Sequence, residues 1–168
     1  MIAAAIVVAL VAAAAVAITL LLRARRRRPA YTGRGRILVP FSGVLEPRVL
    51  EAAIRVARAE EAVLVAAYLL VVPLQYAEDS ARKEQVAVAL PLLEAVELSA
   101  LRAGVPVDAR IEKGRSLTHA LGKLWEVERF DRILAPASGF TEKDLAWILT
   151  HSPIETIVLR AAPAAEAA

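Results

Sequence analysis

Arg36-Ile37-Leu38-Val39-Pro40 is a compact apolar run that stops at the turn Phe41-Ser42-Gly43. It reads as a first strand. Glu46-Pro47 then opens a helix, with proline at an early position where its missing N–H costs little. Leu50, Ala53, Ile54 and Ala57 fall on one face of that helix. Val63 to Val72 is almost continuously apolar, as expected of a strand covered on both faces, and Pro73 ends it.

The same alternation continues to about Arg160. Residues 81–103 are a longer helical region with an expected buried stripe of Val86, Leu90, Leu93, Val96 and Ala100. Pro91 interrupts it and predicts a kink or a restarted helix. Gly104 is a stop signal. Val107 to Glu112 alternates apolar and charged residues as a third strand, with Gly114 in the following turn. Ser116 can cap a helix lined by Leu117, Ala120, Leu121 and Leu124. Arg132 to Ala135 is a fourth strand, and residues 136–140 are a loop. Thr141-x-x-Asp144 resembles a capping box ahead of Leu145, Ile148 and Leu149. Thr156 to Leu159 is a fifth strand, and the Ala-rich 161–168 reads as a disordered tail. Strict alternation of strands and helices predicts an α/β fold, a five-stranded parallel sheet doubly wound by helices on both faces.

Composition narrows the functions. The chain has 168 residues, enough for one domain and not for two of ordinary size. Cysteine is absent, which removes disulfides, thiolate metal sites and a cysteine nucleophile. The formal charge is +3, but residues 1–28 hold five arginines and no acid. The remainder is slightly acidic, so a nucleic-acid-binding fold driven by phosphate contacts is disfavoured.

Ile2 to Leu22 is a run of 21 residues with Thr19 as its one polar side chain. As a helix it would span roughly 31 Å at ~1.5 Å per residue, matching a hydrocarbon core of about 30 Å. Arg23, Arg25, Arg26, Arg27 and Arg28 follow at once. The positive-inside rule then puts the rest of the chain in the cytoplasm, and the arginines also suit anionic lipid head groups. A cleaved signal peptide fits less well: no side-chain charge precedes the run, and the arginines beyond Ala15-Val16-Ala17 resist export. A buried soluble helix fits poorly, since every face is apolar. The expected organisation is a transmembrane anchor with its Arg cluster (1–28), a linker (29–35), an α/β domain (36–160) and the tail. The expected location is the cell membrane, single-pass.

Few residues suggest chemistry. Gly33-x-Gly35 precedes a strand, the wrong context for a phosphate loop. His119 and His151 have no partner histidine or cysteine nearby in sequence; His119 reads as a partly exposed helix residue and His151 as a helix-end cap. Ser42 and Ser138 can meet at the ends of the first and fourth strands, but no base or orienting acid accompanies them. Trp125 and Trp147 read as packing or interface aromatics. Glu60-Glu61 and Glu126/Glu128 with Arg129 read as solvated faces. No metal site and no catalytic residue is expected.

Taken together, Arg36 to Pro40, Tyr68 to Pro73, Val107 to Gly114, Asp131 to Leu134 and His151-Ser152-Pro153 leading into Ile157-Val158-Leu159 resemble the universal stress protein family. The likeness covers about residues 36–160. It implies a strand order of 3-2-1-4-5, frequent dimers and, in many members, an ATP or AMP site. Two features carry that site in the family. One is an acidic residue just after the Val-Pro of the first strand, where this chain has Ser42. The other is a loop Gly-x2-Gly-x9-Gly-(Ser/Thr) after the fourth strand, where residues 136–144 contain only Gly139. Glu142 and Asp144 would also repel a phosphate at the start of the last helix.

The expectation is therefore a membrane-anchored regulatory or binding module without the usual ATP site, and not an enzyme. Pro40, Ser42, Gly43, Ser138 and Gly139 would line a vestigial nucleotide cleft at the switch point of the sheet. The expected partners are the lipid bilayer and a second copy or a membrane protein. Two alternatives are a divergent ATP- or AMP-binding stress switch and an accessory subunit of a membrane transporter.

Overall fold

Strand β1 (Arg36–Phe41) is flanked on both edges and covered on both faces. Ile37, Val39 and Phe41 point to one side and Leu38 to the other, and all are buried. β2 (Val63–Val71) alternates the same way, with Leu64, Ala66, Tyr68 and Leu70 opposite Val63, Val65, Ala67 and Leu69. A strand with two dry faces needs apolar residues at every position, which is why both read as unbroken apolar runs.

The computed structural model describes residues 34–78 and 83–160. They lie in the second of two units, Arg34–Ala168; the first is Met1–Gly33. The expected anchor, its Arg cluster and the tail fall outside the described residues. Among the described residues no helix is long and apolar enough to cross a membrane.

The remaining elements are α1 (Pro47–Ala59), α2 (Lys83–Arg102), β3 (Val107–Gly114), α3 (Leu117–Val127), β4 (Arg132–Pro136), α4 (Glu142–His151) and β5 (Glu155–Leu159). All strand pairs are parallel, in the order β3-β2-β1-β4-β5. α1 and α2 cover one face and α3 and α4 the other. The doubly wound fold and the strand order match the sequence reading.

Local signals acted as read at several ends. Pro47 stands in the first turn of α1. Ser116 caps α3, its side chain accepting from the His119 N–H at 3.0 Å. Thr141 and Asp144 form a reciprocal capping box on α4. Three details differ. β3 runs on to Gly114, whose missing Cβ lets the strand meet α3: a methyl there would lie 2.5 Å from the Ala120 nitrogen. Pro91 lies inside one continuous α2 instead of restarting it. The buried face of α2 is Ala89, Leu93, Val96 and Ala100, while Leu90 is 48% exposed. α2 is apolar almost all round, so its periodicity did not fix which face turns inward.

One polar group is buried in the sheet. Arg110 on β3 is 7% exposed and makes a bidentate pair with Glu128, at 2.6 and 2.8 Å. Asp108 and Glu112 stand 3.6 Å away on either side. Arg36 joins the same Glu128 at 2.9 Å and lies over the Phe130 ring. Glu128 is thus a half-buried counter-ion to a buried arginine, not part of a solvated face. Glu60 pairs with Arg132 while staying exposed, as read from the sequence. Removing one partner of a buried pair strands the other charge. Glu128→Ala is expected to lower the unfolding free energy by about 3 kcal/mol, and adding Arg110→Met should recover most of that. Urea unfolding midpoints measure both; an unchanged midpoint in the single variant would contradict the assignment.

Candidate functional site

In an open parallel sheet the ligand crevice forms at the carboxyl ends of the strands where the chain order reverses. Here that place is between β1 and β4. The β1–β2 ladder runs through Pro40 and Phe41, whereas the β1–β4 pairing extends only to Leu38↔Ile133. Pro40 has no N–H to donate, and the ladder toward β4 stops short of it. Pro40 itself is buried in the strand, opposite Ala67.

Of the other candidates, Gly139 lies against Ser42. Gly43 and Gly139 both adopt left-handed backbone, at φ +74° and +86°. Gly43 has open space where a side chain would be. Gly139 is the opposite case: a Cβ would lie 2.3 Å from the Ser42 carbonyl oxygen. The loops after β1 and β4 therefore touch backbone to backbone, and only glycine permits that approach. Ser138 Oγ is buried beside this contact without a hydrogen-bond partner.

The start of α4 follows the loop after β4. Asp144 Oδ2 accepts from the Thr141 N–H at 3.1 Å and from the Thr141 hydroxyl at 2.7 Å. The Thr141 hydroxyl in turn accepts from the Asp144 N–H at 3.2 Å. Glu142 adds a second carboxylate to this first turn. A helix N-terminus attracts anions because its first N–H groups lack partners. Here Thr141 and Asp144 satisfy each other's backbone N–H groups, and two carboxylates stand in the turn.

A second polar cluster, unread in the sequence, sits at the carboxyl end of β3. Arg115 Nη1 donates to the carbonyls of Pro73 at 2.8 Å and Tyr76 at 3.0 Å, latching the loop that follows β2. His119 Nδ1 accepts from the Arg115 N–H at 3.1 Å, so His119 belongs to this turn and is not a free base. Lys123 donates to Glu78 at 2.7 Å. The spacing of His119 and Lys123, one helical turn apart, was the signal available; their partner Glu78 lies too far back in sequence to have been paired with them. The Lys123 hydrogen bond holds the Glu78 carboxyl below its ordinary range, aided by charge from Lys123 and Arg115.

His151 ends α4 with Nδ1 at 3.0 Å from the Trp147 carbonyl, the capping position expected of it. Trp125, Trp147 and His151 stack in series, with centroids 5.3 and 4.9 Å apart. Among the described residues, no group of three or more His, Asp or Glu is placed to hold a metal ion.

This geometry defines a doubly wound α/β protein, and solved structures share its fold. A universal stress protein from Burkholderia pseudomallei superposes with a TM-score of 0.59 at 18% identity, over 77% of this chain and 98% of that one. A universal stress protein in complex with cAMP gives 0.59 at 17% identity, over 77% and 98%. A family protein from Arabidopsis thaliana with AMP bound gives 0.56 at 15% identity, over 76% and 92%. The described domain thus has the universal stress protein fold. No family profile matches the chain, and no curated protein sequence matches it.

Two outcomes are expected from the site. Gly139→Ala should cost about 1–3 kcal/mol through overpacking alone, read by thermal unfolding, with added strain from the left-handed backbone. Glu78 should titrate below the usual carboxylate value of about 4.3 by carboxyl-carbon NMR. A depressed carboxylate stabilises the fold above its unfolded value, and that contribution is lost as pH falls through the folded one. Lys123→Ala should move Glu78 back up; an unmoved titration would contradict the pairing.

Proposed function

We propose that this chain is a regulatory binding module of universal-stress-protein type, not an enzyme, whose switch-point crevice does not accept a triphosphate. The observation that carries this reading is the self-capped start of α4. Asp144 and Thr141 satisfy each other there, and Glu142 adds negative charge. A phosphate arriving at this turn would have to displace a carboxylate and face a second one. The contact of Gly139 with the Ser42 carbonyl narrows the same crevice, and Ser42 stands where an acidic residue contacts adenosine in the resemblance.

The proposal includes a membrane tether. Its support is the sequence: residues 2–22 have the length and apolarity of a span, and five arginines mark the cytoplasmic side. The module would then work at the cytoplasmic surface of the cell membrane, in contact with a second copy or a membrane protein.

A specific observation favours one other reading. Ser138 Oγ is buried in the crevice without a partner, and structural neighbours hold AMP and cAMP. A mononucleotide would place fewer charges near α4 than ATP and could engage that hydroxyl.

Calorimetric titration of ATP and AMP with Mg²⁺ into the full chain tests both readings. The expected result is no saturable ATP binding tighter than roughly 100 μM, or about −5.5 kcal/mol. Tighter ATP binding would overturn the proposal. AMP binding that is lost in Ser138→Ala would support the mononucleotide reading instead.

A further inference from the structure

The outward face of α2 carries a pattern that the domain itself does not use. Ala89, Leu93, Val96 and Ala100 already fill the core side. On the opposite side Glu84, Val88, Pro91, Ala95, Leu98 and Arg102 are all exposed and recur at alternating intervals of four and three residues. Val88 is 59% and Leu98 53% exposed. Alternating four-three spacing is the heptad seam of a coiled coil, and it places these residues in one stripe. The stripe is roughly 27 Å long at ~1.5 Å per residue.

The order along the stripe is what selects the occupant. It reads acidic, apolar, small, small, apolar, basic. Turned antiparallel against itself about an axis near Leu93, each residue meets a complement. Glu84 faces the partner's Arg102, Val88 faces the partner's Leu98, and Pro91 faces the partner's Ala95. A two-fold interface demands this reciprocity, since residue i must contact j while j contacts i. The seam's small residues, Pro91 and Ala95, lie at the axis and let the backbones approach. Val88 and Leu98 fill the layers on either side, and the two charge pairs close the ends. We infer that the outer face of α2 is a homodimer interface, in which two copies pair their α2 helices antiparallel in this register.

One feature opposes the pairing. Glu94 stands beside the axis on one flank, where it faces the partner's Glu94. Like charges in that position weaken association. Removing them should strengthen it.

The chain has no cysteine, so introduced thiols report without background. Full-length Val88→Cys and Leu98→Cys proteins are oxidised separately and then as a mixture. The register brings residue 88 opposite the partner's 98, within disulfide reach. It leaves 88 and 98 each about 15 Å along the axis from their own symmetry mates, too far to bridge. The expected result is a cross-linked dimer in the mixture only. Cross-linking of each variant alone would mean a parallel pairing and would overturn the inference. No cross-link in the mixture would also overturn it, whether the stripe is free or covered by residues 2–22 of the same chain. Charge reversal gives an independent readout by sedimentation. Glu84→Arg or Arg102→Glu alone should lower the dimer fraction, the two together should restore it, and Glu94→Gln should raise it. A dimer indifferent to all of these changes uses another surface.

Discussion

β1 has no face toward water and no free edge. Every other element is placed by that fact. Its Ile37, Val39 and Phe41 require the cover of α1 and α2, and its Leu38 requires that of α3 and α4. β2 and β4 must flank it in parallel, because each returns through a helix laid on one of those faces. The chain leaves β1 toward β2 first and reaches the β4 side only after β3. That reversal creates the crevice, and Pro40 limits how far β4 can zip against it. The position of the candidate site thus follows from the burial of one six-residue strand.

Most of this architecture was readable beforehand because its signals are local. The dry runs 37–41 and 63–70 announce central strands, Pro47 and Ser116 mark helix starts, and Thr141 with Asp144 spells out a capping box. What escaped was non-local or ambiguous. The Arg110–Glu128 pair joins a strand to the end of the next helix, and alternation alone made Arg110 look solvent-facing. The contact of Gly139 with Ser42 joins loops that are distant in sequence. α2 is apolar on both sides, so Val86 and Leu90 were as plausible inward as Ala89 and Leu93. That ambiguity has a physical source: the helix carries a core stripe and an outer stripe at once.

The crevice combines opposing features. Its place in the fold and the orphan hydroxyl of Ser138 suit a ligand. The start of α4 does not, since Thr141 and Asp144 cap it from within and Glu142 adds a second carboxylate. In charge terms the first turn of α4 carries two carboxylates, Glu142 and Asp144. The cluster of Arg115, His119, Lys123 and Glu78 is similarly self-satisfied, fastening the loop after β2. Both polar features at this end of the sheet serve to hold loops in place.

The claim that α4 is closed to phosphate can be tested at single-residue resolution. Amide hydrogen exchange at Thr141 and Asp144 would be followed by NMR on the full chain, with and without millimolar AMP and ATP. Protection of both amides unchanged by nucleotide is the result predicted, because the capping box stays intact. A nucleotide-dependent change at these two amides would show that phosphate displaces Asp144, and would contradict the account.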